Sequence, residues 1–290
     1  MNANARLTDL GPAFGLSWSV TAALTVLAIF FAGIGSSQTI YEFNTPDDLT
    51  QNFVEAGVSP AMTFNHSSLP GVGGVPGRVE DVGTDTLFLN SPFDLSSSGT
   101  LQFSTFFLYN HEVFHPGREN DWFVKLGLSE SASNAMYPSA ASEYTSVTLV
   151  VGTGGLTRKL QLGTKVPGAA ETDIYSTNFS LASGLYQLAA SWTLTGPSTI
   201  SCTATLSSHG SDGTGPPVEL VNFSGTLANA GIASDSSIFA GINSTMDVTY
   251  IDNVSIVPEP APYALLLPGF FLVAAFCRSR PKSQPAKSSP

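Results

Sequence analysis

The sequence predicts an all-β protein, an antiparallel sandwich of two sheets, and three observations carry that reading. Tyr186, Leu188, Ala190, Trp192 and Leu194 alternate with Gln187, Ala189, Ser191 and Thr193, a period of two that sets the large groups on one face. Leu101, Phe103, Thr105 and Phe107 repeat the pattern, and Trp122–Leu128 continues it. Between the two ends of the chain, apolar residues lack the helical period and glycine is frequent, so strands follow one another without helices between them.

Taken in order, the chain opens on an uncharged stretch between Asp9 and Glu42 whose dense apolar part is Val20–Ile34. Fifteen apolar residues suit the hydrophobic region of a secretory signal better than a membrane-spanning helix. Gly33, Gly35, Ser36 and Ser37 supply the small residues that come after such a region, giving a signal peptide over residues 1–37 cut before Ser36 or Gln38. Arg6 is offset by Asp9, so an uncleaved anchor is the alternative. Strands are then expected over 39–43, 61–65, 86–89, 101–107, 122–128, 146–151, 158–162, 186–194, 200–206, 218–225, 238–242 and 248–257. These runs are rich in Val, Ile, Thr and aromatics and are bounded by Gly, Ser, Asn, Asp or Pro. Loops fall at Ser67–Gly77, Ser129–Ser142 and Ser207–Pro217. None is long enough to be a domain linker, so one domain spans residues 38–256. Pro258–Pro262 forms a stiff spacer after it.

The end of the chain carries its own pattern. Val257-Pro258-Glu259-Pro260 precedes an uncharged run over residues 261–277, and a tail over 278–290 then holds Arg278, Arg280, Lys282 and Lys287. Seventeen residues is the short limit for a spanning helix, and basic residues directly after it place the C-terminus in the cytoplasm. This order of motif, span and basic stop resembles the PEP-CTERM sorting signal of bacterial exported proteins. The resemblance covers residues 257–290 and implies an address: recognition and cutting near Pro258-Glu259-Pro260 by an exosortase-type enzyme. With the signal at the other end, it implies an exported domain at the cell surface or in the extracellular matrix.

Composition agrees with export. From Gln38 to Val257 there are 20 Asp and Glu against 6 Lys and Arg, a net charge of −14. That excludes a basic footprint for nucleic acid and docking on anionic lipid. It suits solubility, divalent cations or cationic polymers. Cys202 and Cys277 make no structural bridge once the tail is removed, so stability must come from the core.

A second resemblance rests on Tyr41-Glu42-Phe43-Asn44, Asp121-Trp122-Phe123-Val124 and Tyr250–Ser255. These stretches are similar to the concanavalin A-like, laminin G-like jelly rolls; a compact galactose-binding-like jelly roll is the alternative. The resemblance implies a lectin-type sandwich that binds polysaccharide without catalysis. It also implies a structural calcium ion on Asp252 of the closing strand, with Glu42, Asn44 and Asp47 from the start of the domain supplying further oxygens.

Three other features bear on chemistry. His111-Glu112-Val113-Phe114-His115 matches the zinc-protease motif, whose two imidazoles must share one helical face. Pro116-Gly117 comes directly after it, which disfavours helical geometry at His115, so a loop is expected there. Glu130, Glu143 and His209 are the third-ligand candidates of a zinc metallopeptidase. The Glu-x-Asp-x-x-Glu strand of laminarinase-type glucanases does not occur, and Glu80-Asp81 and Asp47-Asp48 are adjacent pairs that would face opposite ways on a strand. Among the aromatics, Trp122 and Trp192 are expected in the core, and Tyr137 and Tyr144 on the surface as sugar-stacking candidates. A secreted hydrolase is thus the competing class.

Overall fold

The computed structural model describes residues 38–43, 45–57, 63–65, 78–80, 86–109, 117–137, 141–210, 216–244 and 248–259. The signal segment, the His111–His115 motif and everything from Pro260 onward lie outside the described residues.

Among the described residues, fifteen strands form two sheets. They are β1 (Thr39–Tyr41), β2 (Phe53–Ala56), β3 (Thr63–Asn65), β4 (Arg78–Glu80), β5 (Thr86–Leu89), β6 (Thr100–Tyr109), β7 (Trp122–Ser129) and β8 (Tyr144–Val151). Next come β9 (Arg158–Lys165), β10 (Thr172–Tyr175), β11 (Gly184–Gly196), β12 (Thr199–Ser208), β13 (Val218–Ala228), β14 (Phe239–Ser244) and β15 (Val248–Glu259). The first sheet runs β13-β12-β11-β6-β15-β4-β3, with β1 also paired to β15. The second runs β10-β9-β8-β7-β14-β5-β2. Pairings in both are antiparallel, for example β11 with β6 and β8 with β9. The expected all-β, two-sheet class is what the chain adopts.

The core lies between the sheets, and the period of two builds its first wall. Leu101, Phe103, Phe107 and Tyr109 of β6, with Tyr186, Leu188 and Trp192 of β11, turn inward and are buried. Their sequence neighbours point outward and are half-exposed. The second sheet behaves differently. Every residue of β8 and β9 is buried, on both faces. Inward, Val147, Leu149, Leu160 and Leu162 join the core. Outward lie Ser146, Thr148, Lys159, Gln161 and Lys165. A small second cluster of Ala56, Phe88, Met136 and Tyr144 covers part of this outer face.

Among the described residues, one charged group faces the core. Arg158 Nε donates to Tyr109 Oη at 2.7 Å, and Nη1 donates to the carbonyls of Gly155 and Thr157. The guanidinium lies 4.6 Å from the Phe123 ring centroid and 5.4 Å from that of Tyr109. It therefore clips β9 to β6 across the sandwich and pins the 3-10 turn at Thr153–Gly155.

The structure departs from the sequence expectations in three ways. Short helices occur within the domain: α1 (Pro46–Asn52), α2 (Leu95–Ser98) and α3 (Ala230–Ser234). They are too brief to show a period, and α1 is specified locally, with Pro46 in its first turn and Asp48 Oδ2 accepting from the Thr45 N–H at 2.9 Å. Strands β2, β4 and β10 were not expected, because runs of three or four residues with acidic members read as loop. Finally, β15 continues through Val257, Pro258 and Glu259, paired with Gln102, Leu101 and Thr100 of β6. The last described strand thus runs three residues past Ile256, through Val257, Pro258 and Glu259. Among the described residues β1 stops pairing at Ile256, and beyond it β15 has no described partner on that side, where a residue without an N–H is tolerated. Among the described residues no helix is long and apolar enough to cross a membrane.

Removing one oxygen tests the Arg158 clip. Tyr109→Phe keeps the ring but leaves the guanidinium Nε short of a buried acceptor, a loss of about 1–3 kcal/mol. Chemical denaturation of the full chain should show a lower midpoint with an unchanged slope.

Candidate functional site

The outer face of the second sheet gathers most of the charge and hydrogen-bonding capacity that the domain buries. Register sets it out in rows. Lys125, Thr148, Gln161 and Tyr175 stand abreast on β7, β8, β9 and β10. Beside them run Gly127, Ser146, Gly163 and Asp173 on the same four strands. Glu171, two residues before Asp173, shares its face. Thr148, Ser146 and Gln161 form a buried floor; Glu171, Asp173, Tyr175 and Trp122 are half-exposed at the rim.

Glycine at 163 makes the centre of this recess. A Cβ added there would lie 2.6 Å from Glu171 Oε1, 3.0 Å from Ser146 Oγ and 3.1 Å from Asp173 Oδ1. Three oxygens from three segments thus converge over one backbone atom. Each is buried and, among the described residues, without a hydrogen-bond partner, as is Thr148 Oγ1. The Tyr144 hydroxyl faces the Glu171 carboxylate, and burial together with that carboxylate holds the phenol above its usual range. Buried polar atoms ordinarily find partners, so a group of orphans in one place is a site built to hydrogen-bond something else.

Lysines complete the walls. Lys125 Nζ donates to Met136 O at 3.2 Å and sits 4.9 Å from the Trp122 ring centroid and 5.4 Å from that of Tyr144. Lys159 Nζ lies 3.6 Å from Glu119 Oε1 and 4.1 Å from the Tyr175 centroid, while Lys165 Nζ donates to Ala169 O. Tyr175 Oη donates to Asp173 Oδ2 at 3.2 Å. Burial pushes the Lys125 ammonium toward deprotonation, opposed by Glu171 and Asp173. Burial also raises the Glu171 carboxyl; Asp173 raises it further and Lys125 opposes. The recess therefore offers fixed donors, fixed acceptors and hydroxyls of either kind, with aromatic rings at its mouth.

The sequence pointed to only part of this. Trp122, expected in the core, is at the recess: its indole N–H donates to Asn243 Oδ1 at 3.1 Å and its ring meets Tyr137 edge-on. Tyr144, expected on the surface, is fully buried beneath the loop that carries Met136. Tyr137 is exposed as expected and Trp192 is in the core. Glu171 and Asp173 were missed, although Glu171-Thr172-Asp173 fits the first two carboxylates of the glucanase triplet. Ser176 stands in the third place, where its hydroxyl accepts from the Leu160 N–H and donates to the Thr177 carbonyl.

The residues expected to hold calcium fall elsewhere. Asp252 is buried on β15; its Oδ1 accepts from the Asn253 N–H at 2.7 Å and its carbonyl from Thr105 Oγ1. Asn253 has a positive φ of 46° at a register irregularity, so Asp-Asn bends the closing strand. The pairing of Tyr41 with Val254 brings Glu42 alongside this bend, Asp47 lies exposed in α1, and Asn44 is outside the described residues. Of the third-ligand candidates for zinc, His209 packs against Phe106 of the first sheet, whereas Glu130 and Glu143 meet beside the second. Among the described residues no three His, Cys, Asp or Glu side chains cluster as metal ligands.

No family model and no curated protein matches this sequence. Solved structures do resemble the fold. The CBM2 module of the evolved Dit protein of Lactobacillus casei BL23 phage J-1 aligns at 9% identity and a TM-score of 0.43, covering 79% of this chain and 100% of that one. Peanut lectin aligns at 10% identity and 0.44, covering 77% and 97%. The PL-14 alginate lyase of Aplysia kurodai aligns at 8% and 0.43, covering 78% and 99%. Likeness at this level carries no functional argument.

Linkage gives the recess a stability signature. The Glu171 carboxyl titrates above the ordinary carboxylate range in the folded chain, so the fold favours its protonated form. Stability from this group is present below the unfolded pKa and lost as pH rises through the folded one. Glu171→Gln should therefore raise the melting temperature at pH 7.5 and leave it nearly unchanged at pH 4, read by calorimetry.

Proposed function

We propose that this is an exported protein of the cell surface or extracellular matrix whose sandwich binds polysaccharide in the recess of the second sheet, without catalysis. One observation carries the reading: four buried oxygens, on Glu171, Asp173, Ser146 and Thr148, gather on the Lys125 face of the sheet without a hydrogen-bond partner among the described residues. A sugar ring presents hydroxyls that both donate and accept, so it satisfies such a mixed set where a plain anion or cation would not. The rings of Trp122, Tyr137 and Tyr175 at the mouth supply flat surfaces for the apolar side of a pyranose. Delivery by the PEP-CTERM-like tail and processing by an exosortase-type enzyme belong to the same proposal, supported by the order of motif, apolar run and basic tail. A structural calcium ion near Asp252, with Glu42, Asn44 and Asp47, belongs to it as well.

A second reading, a secreted hydrolase, has a specific observation in its favour. Burial raises the Glu171 carboxyl next to Asp173, the direction that suits a general acid beside a carboxylate. Against it stands Ser176 in place of the third carboxylate.

A glycan array with the full chain, run with and without calcium, distinguishes the two readings. Retention that falls at least tenfold in Lys125→Met and in Glu171→Gln, with no new reducing ends released, is the expected outcome. Release of reducing ends that is lost in Glu171→Gln would establish the hydrolase, and retention untouched by either change would remove the recess from the account. Sorting is checked separately: mature protein from the native host should end near Pro260, and an intact mass retaining the basic tail would reduce the C-terminus to an ordinary anchor.

A further inference from the structure

The opposite face of the sandwich has the contrary chemistry. Strands β6, β11 and β12 contain not one charged residue, in a domain whose net charge is −14. Solvated outer faces of acidic domains are where charge usually collects, so three adjacent strands without charge need an account. The acids of this sheet's neighbouring strands are Asp252 and Glu259 on β15 and Glu219 on β13. The face is also not flat. A groove of about 440 Å³ crosses it, lined by outward side chains such as Gln102, Gln187, Ser191, Thr203, Thr205 and Ser255.

Small residues and paired amides shape this groove. Ala189 lies in its middle, where a long side chain would fill it. Gln187 Nε2 donates to Ser104 Oγ at 3.4 Å across the β11–β6 ladder, and Gln38 Nε2 donates to Ser255 Oγ at 2.8 Å across β1 and β15. Those bonds orient the amides, leaving their carbonyls as acceptors, in line with the hydroxyls of Ser191, Thr203 and Thr205. The groove spans β1, β15, β6, β11 and β12, which at about 4.8 Å per strand is roughly 19 Å, room for about four sugar residues.

We infer that this groove is a second binding site, for an uncharged polysaccharide chain laid across the strands. A neutral chain meets no repulsion there and forfeits no ion pair. An anionic polymer would find no cation to offset the domain's net negative charge, and a cationic one would bind the acidic residues elsewhere on the surface. Since the recess lies on the other sheet, the inference stands apart from the recess reading. If both hold, one domain engages two chains at once and cross-links them, which suits a component of a matrix.

The test uses the full chain in detergent, with cellohexaose and laminarihexaose as neutral probes, a polyuronate as the charged control, and the recess disabled by Lys125→Met. Binding of at least one neutral hexaose that survives Lys125→Met, falls at least tenfold in the double change Gln102→Ala and Gln187→Ala, and is absent for the polyuronate supports the inference. Ser191→Glu, which places a charge in the groove without touching the core, should have the same effect. No neutral binding in Lys125→Met, or binding indifferent to the glutamine and Ser191 changes, overturns it. So does a dimer in sedimentation velocity that Ser191→Glu dissociates, because the face would then be occupied by a second copy of the chain.

Discussion

One constraint governs this protein: the core takes every second residue of each strand, and only the alternate residues are left for anything else. A shift of one residue in any strand would exchange the two sets, so register and function are tied together. On β6, β11 and β12 of the first sheet the alternate set is uncharged and opens to solvent in a groove. On the second sheet it holds Lys125, Lys159 and Lys165 and looks onto Glu171 and Asp173 beneath covering segments. Two faces with unlike chemistry are thereby produced by one repeating pattern.

The two faces differ because their cover differs. The chain between β7 and β8 lays Met136 over the second sheet, above Gly127, where no larger residue would fit. Burial of that outer face then removes water from the polar groups below, which is why Lys125 leans toward its neutral form and Glu171 toward its protonated one. Groups held away from their preferred charge states lower stability, and a fold keeps such a cost where function requires it. Arg158, by contrast, is a buried cation with a structural role, because its three hydrogen bonds and two aromatic neighbours tie the sheets at one end.

Legibility followed physics. The long strands were readable because large apolar groups recur every second residue, as in Tyr186–Leu194, and their ends extended beyond the expected runs by one to three residues. The short elements were not. β10 is four residues beginning Thr172-Asp173, and nothing in that run separates it from a loop; only the ladder to β9 defines it. The recess was hidden for the same reason, since it is assembled from β7, β8, β9 and β10 and from covering segments. Alternation could place Trp122 in a strand, but not say which face the core would claim, that the next strand would begin as early as Tyr144, or that its other face would also be buried. A pair of acids at a spacing of two, Glu171 and Asp173, was the one local signal that pointed to the site.

The central claim is that ligand enters the recess floored by Ser146, Thr148 and Gly163. Hydrogen–deuterium exchange of the full chain, with and without the tightest oligosaccharide from an array, tests it most directly. The account predicts new protection in peptides from β8, β9 and β10, between Tyr144 and Tyr175, where ligand would seal the outer face. Unchanged exchange across those strands at saturating oligosaccharide, with protection arising elsewhere, would contradict it.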